Sequence, residues 1–286
     1  MLLSTNLTDT QRGQIIGKAA AYINAWIYSL HELYEALEKC ATGVAGTDSY
    51  EHPYKELHYW DEGWAFYAGS AQTVGGTGGS LAYTLAEKRC SDFNTCGPAG
   101  YVEGVDGNQG SGARPSLVNR NLVALYNVGL VQLNSADCAG ATATKDLIVS
   151  QMTIPLIQGT IKYVYKSDPA EYNTDDTSAN EKGMAEGSAF SAALLPLLDA
   201  CDTTVSQKLY DNINMGLGTA GAVPDGYASV KAAIESTYSC LGVTCSDVGE
   251  FKDMTNTSNY CSTVTAGDAT VYSNVITMGL AALTEA

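Results

Sequence analysis

The chain has 286 residues, which is enough for one large domain or two of ordinary size. Its 31 acidic residues outnumber 15 basic ones, so the formal charge of −16 would repel nucleic acid and anionic membrane surfaces and favours cations as partners. Charged residues are only 16% of the chain while Ser, Thr, Asn, Gly and Tyr are plentiful, a balance more typical of secreted than of cytosolic proteins.

Helical periodicity dominates the first half of the sequence. A long amphipathic helix is predicted from a cap at Thr8 or Asp9 to about Cys40, where a Gly-rich link ends it. A second helix is expected over about 53–73 and is followed by the flexible joint GGTGGS. Two more are expected over about 81–92 and 115–134, with the long loop 95–114 between them.

After Ala139 the pattern starts again, with helices expected over about 144–167, 180–198, 206–214 and 226–242. The motif EG-x-AF occurs in both halves at a constant shift of 124 positions, so that Glu62 corresponds to Glu186. We therefore predict an all-α protein, a tandem duplication of a four-helix unit that is disulfide-stabilised and has long loops. The predicted domains are 1–139 and 140–286, the second with a C-terminal extension.

Imidazole, acid and phenol groups are densest in the stretch 52–72. His58 and Glu62 are four residues apart and share a helix face, and His31 and Glu35 repeat that spacing on the first helix. Imidazoles and carboxylates held by two packed helices form a ligand set for a transition metal. A simpler interpretation stays open, in which each histidine pairs with a helical neighbour and binds no metal.

The second half carries no imidazole. His58 corresponds to Lys182, and a protonated lysine cannot bind a metal. We therefore expect a single metal site, in residues 1–139, with Glu186 as the counterpart of Glu62 in the second repeat.

Eight cysteines, none of them in a C-x-x-C motif, argue for disulfides rather than zinc ribbons or iron–sulfur clusters. Short spacing favours the pairs Cys90–Cys96 and Cys240–Cys245, which leaves Cys40, Cys138, Cys201 and Cys261 to pair over longer range. No apolar run of about 18 residues occurs, so direct membrane insertion is not expected. The first residues lack the features of a signal peptide, and we expect the leader of a secreted protein to have been removed.

The segment D-E-G-x-A-F-Y-x-G-S at Asp61 to Ser70, the Gly-rich joint after it, the weaker EG-x-AF repeat and the cysteine-bearing helical halves resemble the algal low-iron-inducible periplasmic proteins. That family is also described as high-carbon-dioxide-inducible and is related to diatom phytotransferrins. The resemblance implies a secreted, periplasmic or cell-surface protein that assimilates ferric iron with high affinity, together with carbonate, and passes it to a membrane uptake component. A looser likeness to the imelysin-type proteins concerns architecture alone, because their usual G-x-H-x-x-E motif is absent.

The ferric iron that the resemblance implies is a hard ion, which prefers carboxylate and phenolate oxygen and accepts imidazole. This preference adds four further metal-ligand candidates, which are Asp61, Tyr28, Tyr59 and Tyr67. If carbonate completes the shell, a cation should hold it, and we nominate Lys55 and Arg120 for anion binding.

Two other classes of function remain as alternatives. A di-iron or other metal-dependent oxidase would also use Glu and His on four helices, but the di-iron signature needs two E-x-x-H motifs. Here the residues three before His31, His52 and His58 are Tyr28, Ser49 and Lys55. A non-catalytic structural or adhesive surface protein would need no site at all. The expected activity is therefore binding rather than catalysis.

Overall fold

The computed structural model of the protein describes residues 7–42, 55–70, 78–97, 115–172, 177–214 and 223–251. Within these ranges the protein is helical and has no strand, apart from an isolated bridge between Cys96 and Ser116. The predicted all-α class is confirmed. The α-helices, in chain order, are α1 Asp9–Ala19, α2 Trp26–Thr42, α3 Lys55–Ala68, α4 Ala82–Phe93, α5 Leu117–Asn134, α6 Cys138–Ser167, α7 Thr177–Cys201, α8 Thr203–Asn212, α9 Tyr227–Glu235, α10 Tyr238–Leu241 and α11 Cys245–Val248.

The first predicted helix starts at the expected cap. The Thr8 side chain accepts a hydrogen bond from the Gln11 backbone N–H at 3.3 Å, and the Gln11 side chain accepts one from the Thr8 N–H at 3.0 Å, which is a capping box. A π-helical segment, Ala20–Ala25, then separates α1 from α2. The sequence pattern did not predict this segment, and π-helical turns are frequent at functional sites.

The described residues form two compact units. The α1–α7 unit contains those within 1–24, 92–94 and 153–264, and the α2–α3 unit contains those within 25–91 and 95–152. In the first unit α1 packs on α7, and α7 packs on α8. In the second unit α2 packs on α3, and α3 packs on α5. The repeat boundary at 139 concerns the ancestry of the sequence and stays a prediction.

Each unit has a core of its own. In the α2–α3 unit Trp60 and Tyr67 are fully buried, and the Trp60 indole N–H donates to the Tyr126 carbonyl at 2.9 Å. In the α1–α7 unit the buried Phe190 ring stacks against Tyr22 and Tyr163, at centroid distances of 5.1 and 5.6 Å. No helix of the described ranges is both long and apolar enough to cross a membrane.

Three disulfides join described cysteines: Cys40–Cys138, Cys90–Cys96 and Cys201–Cys240. The predicted pair Cys90–Cys96 is confirmed. The predicted pair Cys240–Cys245 is wrong, because Cys240 bonds to Cys201 at the end of α7, and Cys245 is disulfide-bonded elsewhere. Short sequence spacing misled the prediction, since α10 brings Cys240 against the end of α7.

Candidate metal site between α2 and α3

The helices α2 and α3 run antiparallel and approach each other closely. The Ser29 hydroxyl donates to the Gly63 carbonyl at 2.6 Å, and a Cβ on Gly63 would lie 3.1 Å from Leu33 Cδ2. One turn away, the Tyr28 and Phe66 rings meet edge to face at 4.6 Å. Because Gly63 has no side chain, its neighbour Glu62 is brought against α2.

The α2 residue beside Glu62 is Glu32. Glu32 is only 3% exposed, and its Oε2 atom has no hydrogen-bond partner. Burial raises the pKa of the Glu32 carboxyl, and the nearby charge of Glu62 raises it further, against the opposing effects of His31 and a hydrogen bond from Tyr28. The two helices therefore hold a carboxyl pair, of which Glu32 is buried and Glu62 is partly exposed.

Imidazole and phenol groups surround this carboxyl pair. His58 Nε2 lies 3.2 Å from Glu62 Oε1, and the His31 ring lies 5.4 Å from that of Tyr28. The charge of Glu32, followed by desolvation, raises the pKa of the Tyr28 hydroxyl, which is half exposed. The site therefore contains several oxygen donors, and two of them, Glu32 and Tyr28, have raised pKa values.

The remaining predicted metal ligands lie at different distances from the pair. Glu35 forms its ion pair with Lys39, at 3.5 Å. Tyr59 borders the site, because its charge contributes to the raised pKa of Tyr28, and Lys39 lies 6.0 Å from the Tyr59 ring. Asp61 is exposed near His58.

Tyr67 is fully buried, and its hydroxyl donates to Asn119 Oδ1 at 2.5 Å. Burial raises the pKa of Tyr67 well above its usual value, so it is a poor phenolate. Of the two predicted anion-binding residues, Lys55 begins α3 two turns before Glu62, and Arg120 lies on α5; both are half-buried. His52 lies outside the described residues.

Glu32 is not among the metal ligands predicted from the sequence, although a signal for it was present. The buried residues of α2 are Trp26, Ser29, Glu32, Leu33 and Ala36, so Glu32 lies on the core-facing stripe of the helix. A glutamate is almost never found at such a position without a partner. A charged residue inside an apolar stripe would have pointed to Glu32 rather than to Glu35.

In the α1–α7 unit the counterpart of Glu62 is Glu186, and it faces a residue of opposite charge. Glu186 is 3% exposed, like Glu32, and its Oε1 atom lies 3.4 Å from the ammonium of Lys18 on α1. The repeated glutamate is therefore neutralised by a lysine in one unit, whereas in the other it faces a second acid. Among the described residues, no lysine or arginine forms an ion pair with Glu32 or Glu62.

Within the described ranges, no three side chains of His, Cys, Asp or Glu are arranged to hold a metal ion by themselves. Two carboxylates, a phenol and an imidazole remain as the donors at this place. No protein-family model, curated protein or solved structure matches the chain. Fold and site thus define an all-α, disulfide-bonded protein in which the buried Glu32 of one helix lies beside the partly exposed Glu62 of another.

The raised pKa of Glu32 gives a stability prediction with a definite sign. A raised folded-state pKa contributes stability below the unfolded value of 4.5, and this contribution is lost as the pH rises through the folded value. At neutral pH we expect Glu32→Gln to raise the free energy of unfolding by roughly 1 kcal/mol, because the amide can donate to Glu62. Urea denaturation at pH 4 and pH 7.5 measures it, and a gain that is equal at both values would contradict the prediction.

Proposed function

We propose that the protein binds ferric iron as cargo at the Glu32–Glu62 pair, with Tyr28 and His58 as further donors. In this proposal it captures the ion outside the cell, in the periplasmic space or at the surface, and passes it to a membrane uptake component. The activity is binding and not turnover.

The observation that carries the proposal is the buried acid without a counter-ion. Removing a carboxylate from water is costly unless it is paired, and a neighbouring carboxylate adds repulsion. A cation between Glu32 and Glu62 would turn this repulsion into attraction and would occupy the lone Oε2 atom of Glu32. Such a pair lowers the free energy of unfolding at neutral pH, and a bound cation would remove this cost.

The second unit supplies an internal comparison. At Glu186 the chain places the ammonium of Lys18 within 3.4 Å. Where this cation is missing, at Glu62, the chain instead supplies a second acid and a phenol. This difference supports an external cation at the α2–α3 site.

The chemistry of the donors favours a hard ion. Carboxylate and phenol oxygens dominate the site, and the single close imidazole is compatible with iron. The protein donors alone would leave coordination positions open on an ion that prefers six, which is where carbonate would bind. Lys55 and Arg120 remain the proposed anion-holding residues.

The location outside the cell is supported by the disulfides. Three such bonds between described cysteines are typical of proteins that mature in an oxidising compartment. The resemblance of Asp61 to Ser70 and its surroundings to the algal iron-assimilation family points to the same compartment and the same cargo.

The experiment that tests the function is ferric iron uptake by the purified protein, supplied as the nitrilotriacetate complex, with and without bicarbonate. We expect one ion per chain, measured as metal content after gel filtration, and tighter binding with bicarbonate. Repeated conversion of ferrous to ferric iron would identify an oxidase instead. The absence of any uptake would contradict the proposal and favour a structural or adhesive protein.

The role of Tyr28 is tested separately. A ferric ion bound to phenolate gives a visible charge-transfer absorption band, and the ion must displace the phenol proton, whose pKa the apo site holds above its usual value. We expect Tyr28→Phe to lose this band, while Tyr34→Phe, an exposed tyrosine on the same helix, should keep it. A band of equal intensity in Tyr28→Phe would exclude Tyr28 as a ligand.

A further inference from the structure

We infer that Lys18 is a built-in counter-ion, which takes in the α1–α7 unit the position that the metal ion takes in the α2–α3 unit, and so limits the protein to one bound ion per chain. This inference rests on the proposed function and concerns the site at Glu186. It makes Lys18 a residue that determines stoichiometry rather than a scaffold residue.

In both units an acid of the repeated motif and the phenylalanine four residues after it lie beside a tyrosine of another helical segment. In one unit Glu62 is followed four residues later by Phe66, whose ring contacts Tyr28 of α2 at 4.6 Å. In the other unit Glu186 is followed by Phe190, whose ring stacks on Tyr22 at 5.1 Å. An acid, a phenylalanine and a tyrosine therefore recur together.

The difference lies in one residue four positions from that tyrosine. In the α2–α3 unit this residue is Glu32, which lies against Glu62. In the α1–α7 unit it is Lys18, whose ammonium lies 3.4 Å from Glu186 and 5.9 Å from the centre of the Tyr22 ring. An acid that needs a cation is thus replaced by a cation.

Sequence alignment does not reveal this replacement, because the two helix pairs have opposite polarity. Along α7, on one side, and α1 with the π-helical segment after it, on the other, the contacts progress in the same direction, from Lys18 with Glu186 to Tyr22 with Phe190. Along α2 and α3 they progress in opposite directions. Lys18 therefore precedes its tyrosine by four residues, whereas Glu32 follows its own.

We expect the Glu186 site to accept an ion once the charge of Lys18 is removed. The Glu186 side chain is 4% exposed, and its Oε2 atom has no hydrogen-bond partner. The Lys18 side chain is 29% exposed, so it closes the site from the solvent side. Removing its charge would leave a buried carboxylate uncompensated, as in the α2–α3 unit.

The test is the substitution Lys18→Glu, which restores the two acids beside Tyr22. Ferric iron, supplied as its nitrilotriacetate complex, is counted by metal content in the wild type, in Lys18→Glu and in the control Lys208→Glu. Lys208 pairs with Asp225 at 3.6 Å in the same unit and is partly exposed. We expect one ion in the wild type and in the control, and two in Lys18→Glu.

Each outcome bears on the inference. One ion in both the wild type and Lys18→Glu overturns the inference and leaves the proposed function intact. No ion in the wild type overturns the proposed function and with it the inference, whatever Lys18→Glu binds. Two ions in the wild type, or none in either protein, overturn the inference.

A second pair of variants applies if Lys18→Glu does not fold. Lys18→Gln keeps most of the side-chain length and removes the charge, and we expect its Tm to fall by on the order of 10 °C, because it leaves a buried acid without its partner. Lys18→Arg keeps the charge and should retain the wild-type Tm. A Tm for Lys18→Gln equal to that of Lys208→Gln would overturn the inference.

Discussion

Replacing Glu62 by glutamine is expected to weaken ferric iron binding by roughly 100-fold or more, because loss of residues that only support ligands already costs 10- to 100-fold. The substitution preserves the shape of the side chain and leaves His58 in place. It removes the charge that faces Glu32 across the helix pair. Competition against a chelator of known affinity measures the change.

The matched control is Glu38→Gln, an exposed glutamate on α2. Its substitution changes the net charge by the same amount, so a general electrostatic effect would weaken binding equally in both variants. We expect Glu38→Gln to bind as the wild type does, and Glu32→Gln to lose affinity as Glu62→Gln does. Equal affinities in all three variants would place the iron elsewhere in the chain.

Replacing Gly129 by alanine is expected to destabilise the protein by roughly 3 kcal/mol, the upper end of the usual cost of overpacking. A Cβ on Gly129 would overlap the Trp60 indole and lie 2.6 Å from its Cη2 atom. Trp60 is 1% exposed and cannot withdraw without breaking its hydrogen bond to the Tyr126 carbonyl. The contact between α3 and α5 must therefore open.

The opposite sign is expected for Gly17→Ala in α1, where a Cβ would meet nothing within 4 Å. There the substitution should stabilise by about 0.5 to 1 kcal/mol, since alanine loses less backbone freedom on folding than glycine. Chemical denaturation of both variants measures the two free energies of unfolding. A Gly129→Ala protein as stable as the wild type would show that α5 shifts to admit the methyl group.

The carboxyl pair has opposite effects on stability and on binding. Glu32→Gln is expected to stabilise the apo protein and to weaken iron binding. Such a conflict is typical of functional sites, where a group is retained for its ligand at a cost to folding. The bound cation is also expected to compete with protons. It must displace the proton that burial and Glu62 retain on Glu32.

Much of the fold was predictable from local patterns. Helical spacing of apolar residues predicted eight helices, which overlap α1 to α10, although α6 begins at Cys138 rather than at 144 and α9 ends at Glu235 rather than at 242. The first cap was predicted at Thr8 or Asp9 and lies at Thr8. These features depend on neighbours three or four residues away, so the sequence contains them directly. The π-helical segment Ala20–Ala25 was not predicted.

The candidate site was predictable only in part. The spacing of His58 and Glu62 placed both side chains on one helix face, and the structure brings them to 3.2 Å. The acid of α2 that was predicted to face them is Glu35, but Glu35 pairs with Lys39, and Glu32 lies on the buried side of α2 instead. Which acid meets Glu62 depends on the rotation of α2 against α3, and helical spacing leaves that rotation undetermined.

The amino-acid sequence by itself determined the all-α class, the position of most helices, the recurrence of EG-x-AF and the close spacing of His58 and Glu62, because each is a property of nearby residues. Only the tertiary structure decided that Glu62 faces an acid while Glu186 faces the ammonium of Lys18. The physical reason is that the free energy of a buried charge depends on the groups across the helix interface, and those groups are distant in the chain.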